Sequence, residues 1–163
     1  MNPYESIKTY MATSLITFRP DTKIQEAMKM LFKNGFSGAP VVDKEGNLVG
    51  VISEKDCMKV AINRSYYNEP ASGATVGDYM SHDVKTIDAG LSVVEAAFEF
   101  LHCNYRRFPV MENRKLVGLV SRHDIMKGIL TIEERNIDVT PSSWQARKPV
   151  EITSKTTSYN RKK

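Results

Sequence analysis

The sequence predicts an α+β fold of the α/β type, in which two β-α-β-β-α repeats pack sheet to sheet about a pseudo-twofold axis. The first observation is an internal repeat, because the sequence pattern of residues 10–62 recurs at residues 79–130. The two copies are 69 residues apart before the hairpin turn and 68 residues apart after it, since the second turn is one residue shorter. The second is that both copies present the same order of hydrophobic patterns. The third is the long period, which exceeds the roughly 20 to 50 residues of solenoid repeats and favours two copies that pair into one domain.

Each copy is predicted to open with a helical turn and an extended segment. Ser6 and Thr75 are hydroxyl residues of the kind that cap the start of a helical turn. The extended segments cover residues 15–18 and 84–87, which are rich in β-branched side chains. They are expected to supply the first strand of each repeat.

The first long helix of each copy carries apolar residues at positions i, i+3, i+4, i+7 and i+8, so that one face is hydrophobic. These residues are Ile24, Ala27, Met28, Leu31 and Phe32 in the first copy, and Val93, Ala96, Ala97, Phe100 and Leu101 in the second. Methionine and phenylalanine on such a face favour a place in the core over a cofactor site.

A β-hairpin and a second helix are predicted to complete each copy. The predicted strands are 39–42 and 48–53 in the first copy and 108–111 and 116–121 in the second, with helices at 56–62 and 124–130. Gly50 and Gly118 each stand alone inside a predicted strand. A glycine in that position indicates a bulge, or a place where another group approaches the backbone.

The chain is therefore divided into a first repeat at 6–62, a linker at 63–74, a second repeat at 75–130 and a flexible basic tail at 131–163. The linker contains Pro70 and Gly73, and the tail contains Pro141 and Pro149 among many serines and threonines with few apolar residues.

Composition favours a globular protein in the cytoplasm. Hydrophobic residues make up 41% and charged residues 26% of the chain, and no segment is long and apolar enough to span a membrane. The first residues lack the basic and apolar regions of a secretory signal. The net charge is +4, and the tail has seven basic residues against four acidic ones, which leaves the repeats nearly neutral. A nucleic-acid partner is therefore disfavoured, with the short basic run at 161–163 and Lys155 as the only alternative.

The residues that usually carry catalysis or bind metals are scattered. Cys57 and Cys103 match neither a disulfide framework nor a metal knuckle, and three histidines form no recognisable triad. The chain has no phosphate-binding loop of the Gly-x-x-x-x-Gly-Lys type and no acidic cluster for magnesium. We therefore expect no catalytic residues, no metal and no cofactor.

One motif occurs in both copies, Ser53-x-x-Asp56 and Ser121-x-x-Asp124, each just before a helix. Its structural interpretation is a capping box, in which serine and acid satisfy the first amides of the helix. Its functional interpretation uses the same place: a helix N-terminus suits a phosphate, and a carboxylate accepts hydrogen bonds from the two hydroxyls of a ribose. The two interpretations are compatible.

In both copies a Pro-Val strand, a Leu-Val-Gly strand and this motif follow one another (Pro40-Val41, Leu48-Val49-Gly50; Pro109-Val110, Leu116-Val117-Gly118). With these elements, residues 6–130 resemble a tandem pair of CBS domains, the family named after cystathionine β-synthase. The resemblance implies two clefts between the repeats that bind adenosine compounds such as AMP, ADP, ATP or S-adenosylmethionine.

Carried onto this chain, the resemblance implies the residues of each cleft. Cleft 1 would be formed by Val51, Ser53, Asp56, Lys85, Tyr105 and Arg106. Cleft 2 would be formed by Ile16, Phe36, Ser37, Arg107, Leu119, Ser121 and Asp124. Neighbouring residues of an extended segment point to opposite sides, so we expect Arg106 or Lys85 to serve a phosphate in cleft 1 and Arg107 in cleft 2.

The predicted function is a regulatory module that binds an adenine nucleotide or S-adenosylmethionine and acts on an effector protein or on its own association. Isolated pairs of this family commonly dimerise, so the resemblance also implies a homodimer through the helices. The alternative is a ligand-free structural or protein-interaction module that dimerises, in which the Ser-x-x-Asp motifs are helix caps alone.

Overall fold

The computed structural model describes residues 5–67 and 73–135, and it confirms the α+β class. In the first half, a 3-10 turn at Ile7–Thr9 precedes α1 (Ile24–Asn34), β1 (Gly38–Val42), β2 (Leu48–Ser53) and α2 (Glu54–Tyr67). In the second half, a 3-10 turn at Val76–Asp78 precedes β3 (Ile87–Asp88), α3 (Val93–Leu101), β4 (Arg107–Glu112), β5 (Lys115–Ser121) and α4 (Arg122–Glu134). Ser6 and Thr75 cap the two turns as predicted.

The sheets differ at the first strand of each half. β1 and β2 form an antiparallel pair, whereas β4 pairs with β5 on one side and with the parallel β3 on the other. The strand predicted at 15–18 is reduced to one bridge between Phe18 and Val41, and the one predicted at 84–87 lies at Ile87–Asp88.

Proline explains this difference. In the second half the amide of Ala89 donates to the carbonyl oxygen of Met111 at 2.9 Å and continues the pairing. The equivalent residue of the first half is Pro20, which has no N–H to donate. The first strand of that half therefore ends after Phe18.

The second helices are longer than predicted. α2 begins at Glu54 and continues to Tyr67, into the predicted linker, while α4 covers Arg122–Glu134 rather than 124–130. Each of these helices begins directly after the serine of its Ser-x-x-Asp motif, because that serine is the N-cap residue of the helix. In α4 the extension buries Ile132, which is 2% exposed. Residues 68–72 and 136–163, with most of the predicted tail, lie outside the described residues.

Each half is completed by the turn of the other half. Ile7, from the first half, is fully buried in the core formed by β4, β5 and α3, and its amide donates to the carbonyl oxygen of Leu91 at 3.0 Å. Val76, from the second half, is fully buried in the core of the first, and its amide donates to the carbonyl oxygen of Thr22 at 2.8 Å. The two cores therefore depend on each other.

The glycines inside β2 and β5 lie against the segments that follow the exchanged turns. A β-carbon added to Gly118 would lie 2.6 Å from the sulfur of Met11 and 3.0 Å from the carbonyl oxygen of Ala12. A β-carbon added to Gly50 would meet Met80 and Ser81 at the same two distances. Opposite the two glycines, the register of each hairpin shifts in a bulge. Both features predicted from isolated strand glycines, the bulge and the close approach, are confirmed.

Substitution of Gly118 by Ala should lower the free energy of unfolding by about 1 to 3 kcal/mol, because the segment that follows the exchanged turn would have to move. Urea denaturation measures the change, with Lys115→Ala, an exposed position of the same strand, as the control. Adding Met11→Ala to Gly118→Ala should restore part of the lost free energy of unfolding, because the contact with the Met11 sulfur is then removed. A Gly118→Ala protein as stable as the wild type would contradict the proposed close approach.

Candidate functional site

A cleft of about 580 Å³ lies where the two halves meet. The first half contributes the ends of β1 and β2 and the first turn of α2, and the second half contributes residues 81–85 and 104–107. Its lining comprises Ser37, Gly38, Ala39, Pro40, Val51, Ser53, Glu54, Lys55, Asp56, Met58, Ser81, Asp83, Val84, Lys85, Asn104, Tyr105, Arg106, Arg107, Pro109 and Leu119. Because both hairpins line it, the cleft exists only when the halves are packed together.

The floor of the cleft carries the start of α2, held by Ser53 and Asp56. The Ser53 hydroxyl donates to Asp56 Oδ2 at 2.6 Å, and the Ser53 amide donates to the same oxygen at 3.1 Å. The Asp56 amide donates back to Ser53 Oγ at 3.3 Å. This reciprocal pattern is a capping box, as the sequence predicted, and it fixes the carboxylate at the positive end of the helix.

The Asp56 carboxylate is kept ionised although it is buried. Burial raises the pKa of this group, but the hydrogen bonds from Lys59 and Ser53 outweigh burial and lower the pKa below its usual value. Lys59 Nζ donates to Asp56 Oδ1 at 2.8 Å. A carboxylate accepts about four hydrogen bonds, so the group retains capacity for a hydroxyl of a ligand.

The opposite wall carries one cation that is already paired. Lys85 Nζ lies 2.9 Å from Glu99 Oε2 on α3 and 5.6 Å from the centre of the Phe108 ring. The hydrogen bond to Glu99 raises the pKa of Lys85, so the ammonium remains charged. Lys85 lines the cleft, whereas its carboxylate partner Glu99 does not.

Two further cations and an aromatic ring stand on the same wall. Arg106 and Arg107 have no side-chain hydrogen bond or ion pair with any of residues 5–67 and 73–135. The Tyr105 ring is 45% exposed, and its centre is 5.8 Å from that of Phe108. Unpaired guanidinium groups beside an exposed aromatic face suit a ligand with an anionic part and a planar ring.

The charge of the lining is slightly positive. Four basic residues (Lys55, Lys85, Arg106 and Arg107) face three acidic ones (Glu54, Asp56 and Asp83). Asp56 is neutralised by Lys59 and Lys85 by Glu99, and both of these partners lie outside the lining, which leaves three unpaired basic residues against two unpaired acidic ones. The balance of unpaired charge in the cleft therefore favours an anion.

The structure groups the residues predicted for cleft 1. All six, Val51, Ser53, Asp56, Lys85, Tyr105 and Arg106, lie in the lining described above. Their grouping is observed, and their role in binding is a proposal.

The residues predicted for cleft 2 are divided. Ser37, Arg107 and Leu119 also line cleft 1, whereas Ile16, Phe36, Ser121 and Asp124 lie outside that lining. Ile16 and Phe36 pack against the core of the first half. Both arginines line cleft 1, and β4 begins at Arg107.

The Ser121 motif repeats the cap geometry of the first half. The Ser121 hydroxyl donates to Asp124 Oδ2 at 2.6 Å, and the Asp124 amide donates to Ser121 Oγ at 3.3 Å. The capping interpretation is therefore correct for both motifs.

Sequence reasoning missed five polar residues of cleft 1, namely Glu54, Lys55, Ser81, Asp83 and Asn104. They correspond in the other repeat to Arg122, His123, Ala12, Ser14 and Gly35, which have different chemistry. The shared motif therefore gave no signal for Ser81, Asp83 and Asn104. Glu54 and Lys55 could have been found, because they occupy the variable positions inside the Ser53-x-x-Asp56 motif.

Within residues 5–67 and 73–135, no group of three or more histidine, cysteine or acidic side chains is placed to hold a metal ion. No helix there combines the length and apolarity needed to cross a bilayer. Both cysteines are free thiols, and burial raises the pKa of Cys57.

Comparison with protein families places the same motifs in a known domain. The sequence model of the CBS domain matches residues 7–63 and again residues 76–131. A CBS domain-containing protein of Dictyostelium discoideum, DDB_G0289609, is 30% identical over 136 residues, which cover 78% of this chain and 93% of that protein. An uncharacterised protein of Methanocaldococcus jannaschii, MJ1225, is 27% identical over 123 residues, and the match spans only 42% of its length.

Solved structures show the same architecture. CBSX2 in complex with AMP is 26% identical, with a TM-score of 0.69 and coverage of 78% of this chain and 98% of that one. CBSX2 comes from Arabidopsis thaliana. The CBS domain pair of MJ0100, in complex with 5-methylthioadenosine and S-adenosyl-L-methionine, is 27% identical, with a TM-score of 0.66 and coverage of 79% and 98%.

Replacing Asp56 with Asn should lower the free energy of unfolding at neutral pH by about 1 to 2 kcal/mol, because charge-assisted hydrogen bonds are lost. The folded-state pKa of Asp56 is lowered. The Asp56 carboxylate therefore stabilises the fold fully at pH values above its unfolded-state pKa of about 3.9. This stabilisation disappears as the pH falls through the lower folded-state pKa.

Urea denaturation between about pH 7 and about pH 2 checks this prediction, since wild type and variant should converge in acid. Asp83→Asn, at an exposed position of the same cleft, is the matched control. A difference between wild type and Asp56→Asn that is independent of pH would contradict the role of the charge.

Proposed function

Because this chain belongs to the CBS domain family, we propose that it is a regulatory module that binds an adenosine-containing ligand between its two halves. Occupancy would be passed on to an effector protein or to the association of the chain with itself. The observation that carries the proposal is the grouping of Ser53, Asp56, Lys85, Tyr105 and Arg106 around one cleft. The proposed activity is binding, and no catalytic step is assigned to the chain.

The chemistry of the cleft matches the parts of an adenine nucleotide. The Asp56 carboxylate suits the hydroxyls of a ribose, because an ionised carboxylate is a pure acceptor. The N-terminus of α2 and the guanidinium of Arg106 suit a phosphate. The exposed Tyr105 ring offers a flat apolar surface to a base.

Two relatives support the ligand class without fixing the ligand. CBSX2 has been solved with AMP, and the MJ0100 pair with 5-methylthioadenosine and S-adenosyl-L-methionine. These compounds share the adenosine part and differ in charge. The unpaired cations of cleft 1 favour AMP, ADP or ATP here, because phosphates form charge-assisted hydrogen bonds with arginine.

The second candidate is a ligand-free module for dimerisation or protein interaction. Large apolar side chains are exposed at equivalent positions of two helices, Met58 and Ile62 on α2 and Met126 and Leu130 on α4, each more than half exposed. An apolar face repeated in this way favours burial against another protein, and we propose a homodimer under either candidate. A monomer in light scattering at micromolar concentration would contradict the homodimer.

Substitution of Arg106 by Ala should weaken the binding of AMP and ATP by about tenfold or more, because one charge-assisted hydrogen bond contributes about 1.5 to 3 kcal/mol. Isothermal titration calorimetry measures the affinity, and Arg114→Ala in the exposed turn between β4 and β5 is the control. Thermal melting provides a second readout, since a ligand at 100 times its Kd stabilises by about 2.7 kcal/mol.

The two candidate functions separate in the same experiment. Heat of binding or a thermal shift with a nucleotide or with S-adenosylmethionine supports the regulatory module. The absence of both signals with every adenosine compound tested favours the ligand-free module. Equal nucleotide affinity of the wild type and Arg106→Ala would exclude Arg106 from the phosphate site.

A further inference from the structure

Lys85 differs from the other basic residues of cleft 1. Its ammonium is 2.9 Å from the Glu99 carboxylate, which belongs to α3 and does not line the cleft. Lys55, Arg106 and Arg107 form no ion pair with any residue in the described part of the chain. Lys85 is therefore the basic group of this lining whose charge is compensated by a protein carboxylate.

The pair is specific to one half of the repeat. Lys85 and Glu99 correspond in the first half to Ile16 and Met30, so both charges are replaced by apolar side chains. Where the cation of the wall is absent, its partner is absent too. The first half has no counterpart of this arrangement, although its two helices and its hairpin match those of the second half.

The pair is also easy to break. Both side chains are 42% exposed, and an ion pair at that exposure is weak because water screens the charges and both side chains lose freedom. Lysine carries its charge on a flexible four-carbon chain, so the ammonium can exchange one anionic partner for another. A phosphate in cleft 1 would compete with Glu99 for the same ammonium.

We infer that Glu99 is a positioning residue that competes with an anionic ligand for Lys85 and thereby sets the affinity of cleft 1 for phosphates. The inference rests on the proposed function, since it concerns the regulation of that site. A neutral ligand such as adenosine gains nothing from Lys85, so its affinity is independent of the pair. A nucleotide has to displace Glu99 from Lys85. It therefore binds more weakly than it would if Lys85 had no carboxylate partner.

The test is calorimetric titration of adenosine, AMP and ATP into four proteins: wild type, Glu99→Gln, Lys85→Met and the double variant. Glu99→Gln should raise the affinity for ATP about two- to fivefold, the range that an exposed ion pair spans. The affinity for adenosine should not change. In the Lys85→Met background, Glu99→Gln should have no effect, because the effect of Glu99 passes through Lys85.

A matched control comes from another exposed lysine–glutamate pair. Lys8 and Glu112 also form an ion pair, both side chains are 45% exposed, and neither residue lines the cleft. Glu112→Gln should leave the affinities for AMP and ATP unchanged. Equal gains from Glu112→Gln and Glu99→Gln would mean that net charge alone is responsible, and would overturn the inference.

The remaining outcomes are equally decisive. A gain for ATP that persists in the Lys85→Met background would show that Glu99 acts through the general field, and the inference would fail. Tight binding of ATP by the wild type without any change in Glu99→Gln would overturn the inference and leave the proposed function intact. No binding of any of the three compounds, or of S-adenosylmethionine, by any of the four proteins would overturn both.

Discussion

The exchange of the two helical turns holds the two halves of this protein together. Ile7 and Val76 are each fully buried in the hydrophobic core of the opposite half. Burial of such a side chain contributes about 1.5 to 3 kcal/mol, and neither half can recover this energy alone. The strands carrying Gly50 and Gly118 then lie directly against the segments that follow the exchanged turns. The two halves are consequently one cooperative unit, and the space between them is a fixed feature of the fold.

Cleft 1 follows from this packing. The first half positions the capped start of α2 at the end of β2, and the second half brings Lys85, Tyr105 and Arg106 to face it. The caps are alike in both halves, with serine hydroxyl to aspartate distances of 2.6 Å. The cationic positions are not duplicated, because Lys85, Arg106 and Arg107 correspond in the first half to isoleucine, serine and glycine. The duplicated elements therefore build the scaffold, while residues that differ between the copies supply the cations of cleft 1.

Local sequence patterns were sufficient to predict many of the helices and helix caps of this structure. Helix periodicity predicted α1 and α3, and the Ser-x-x-Asp motifs predicted the caps of α2 and α4. The first strands were predicted too long at their N-terminal ends, because propensity counts residues such as Leu15 and Ile16 without asking whether a partner strand is beside them; of the two predicted segments only Phe18 and Ile87 pair. The exchange of turns could not be predicted, since Ile7 has the same pattern whichever core it enters. The pair of Lys85 and Glu99 depends on the rotation of α3 against residues 81–85, which no pattern within one helix specifies.

Native mass spectrometry of the purified protein, with adenosine and ATP added in turn, measures whether the unpaired cations of the cleft between the packed halves bind a phosphorylated adenosine ligand, as we propose. We expect a mass increase equal to at least one ATP per chain, on a dimer, at concentrations where adenosine gives less. Chains that carry no added mass at any ATP concentration, or that retain adenosine as readily as ATP, would contradict this proposal.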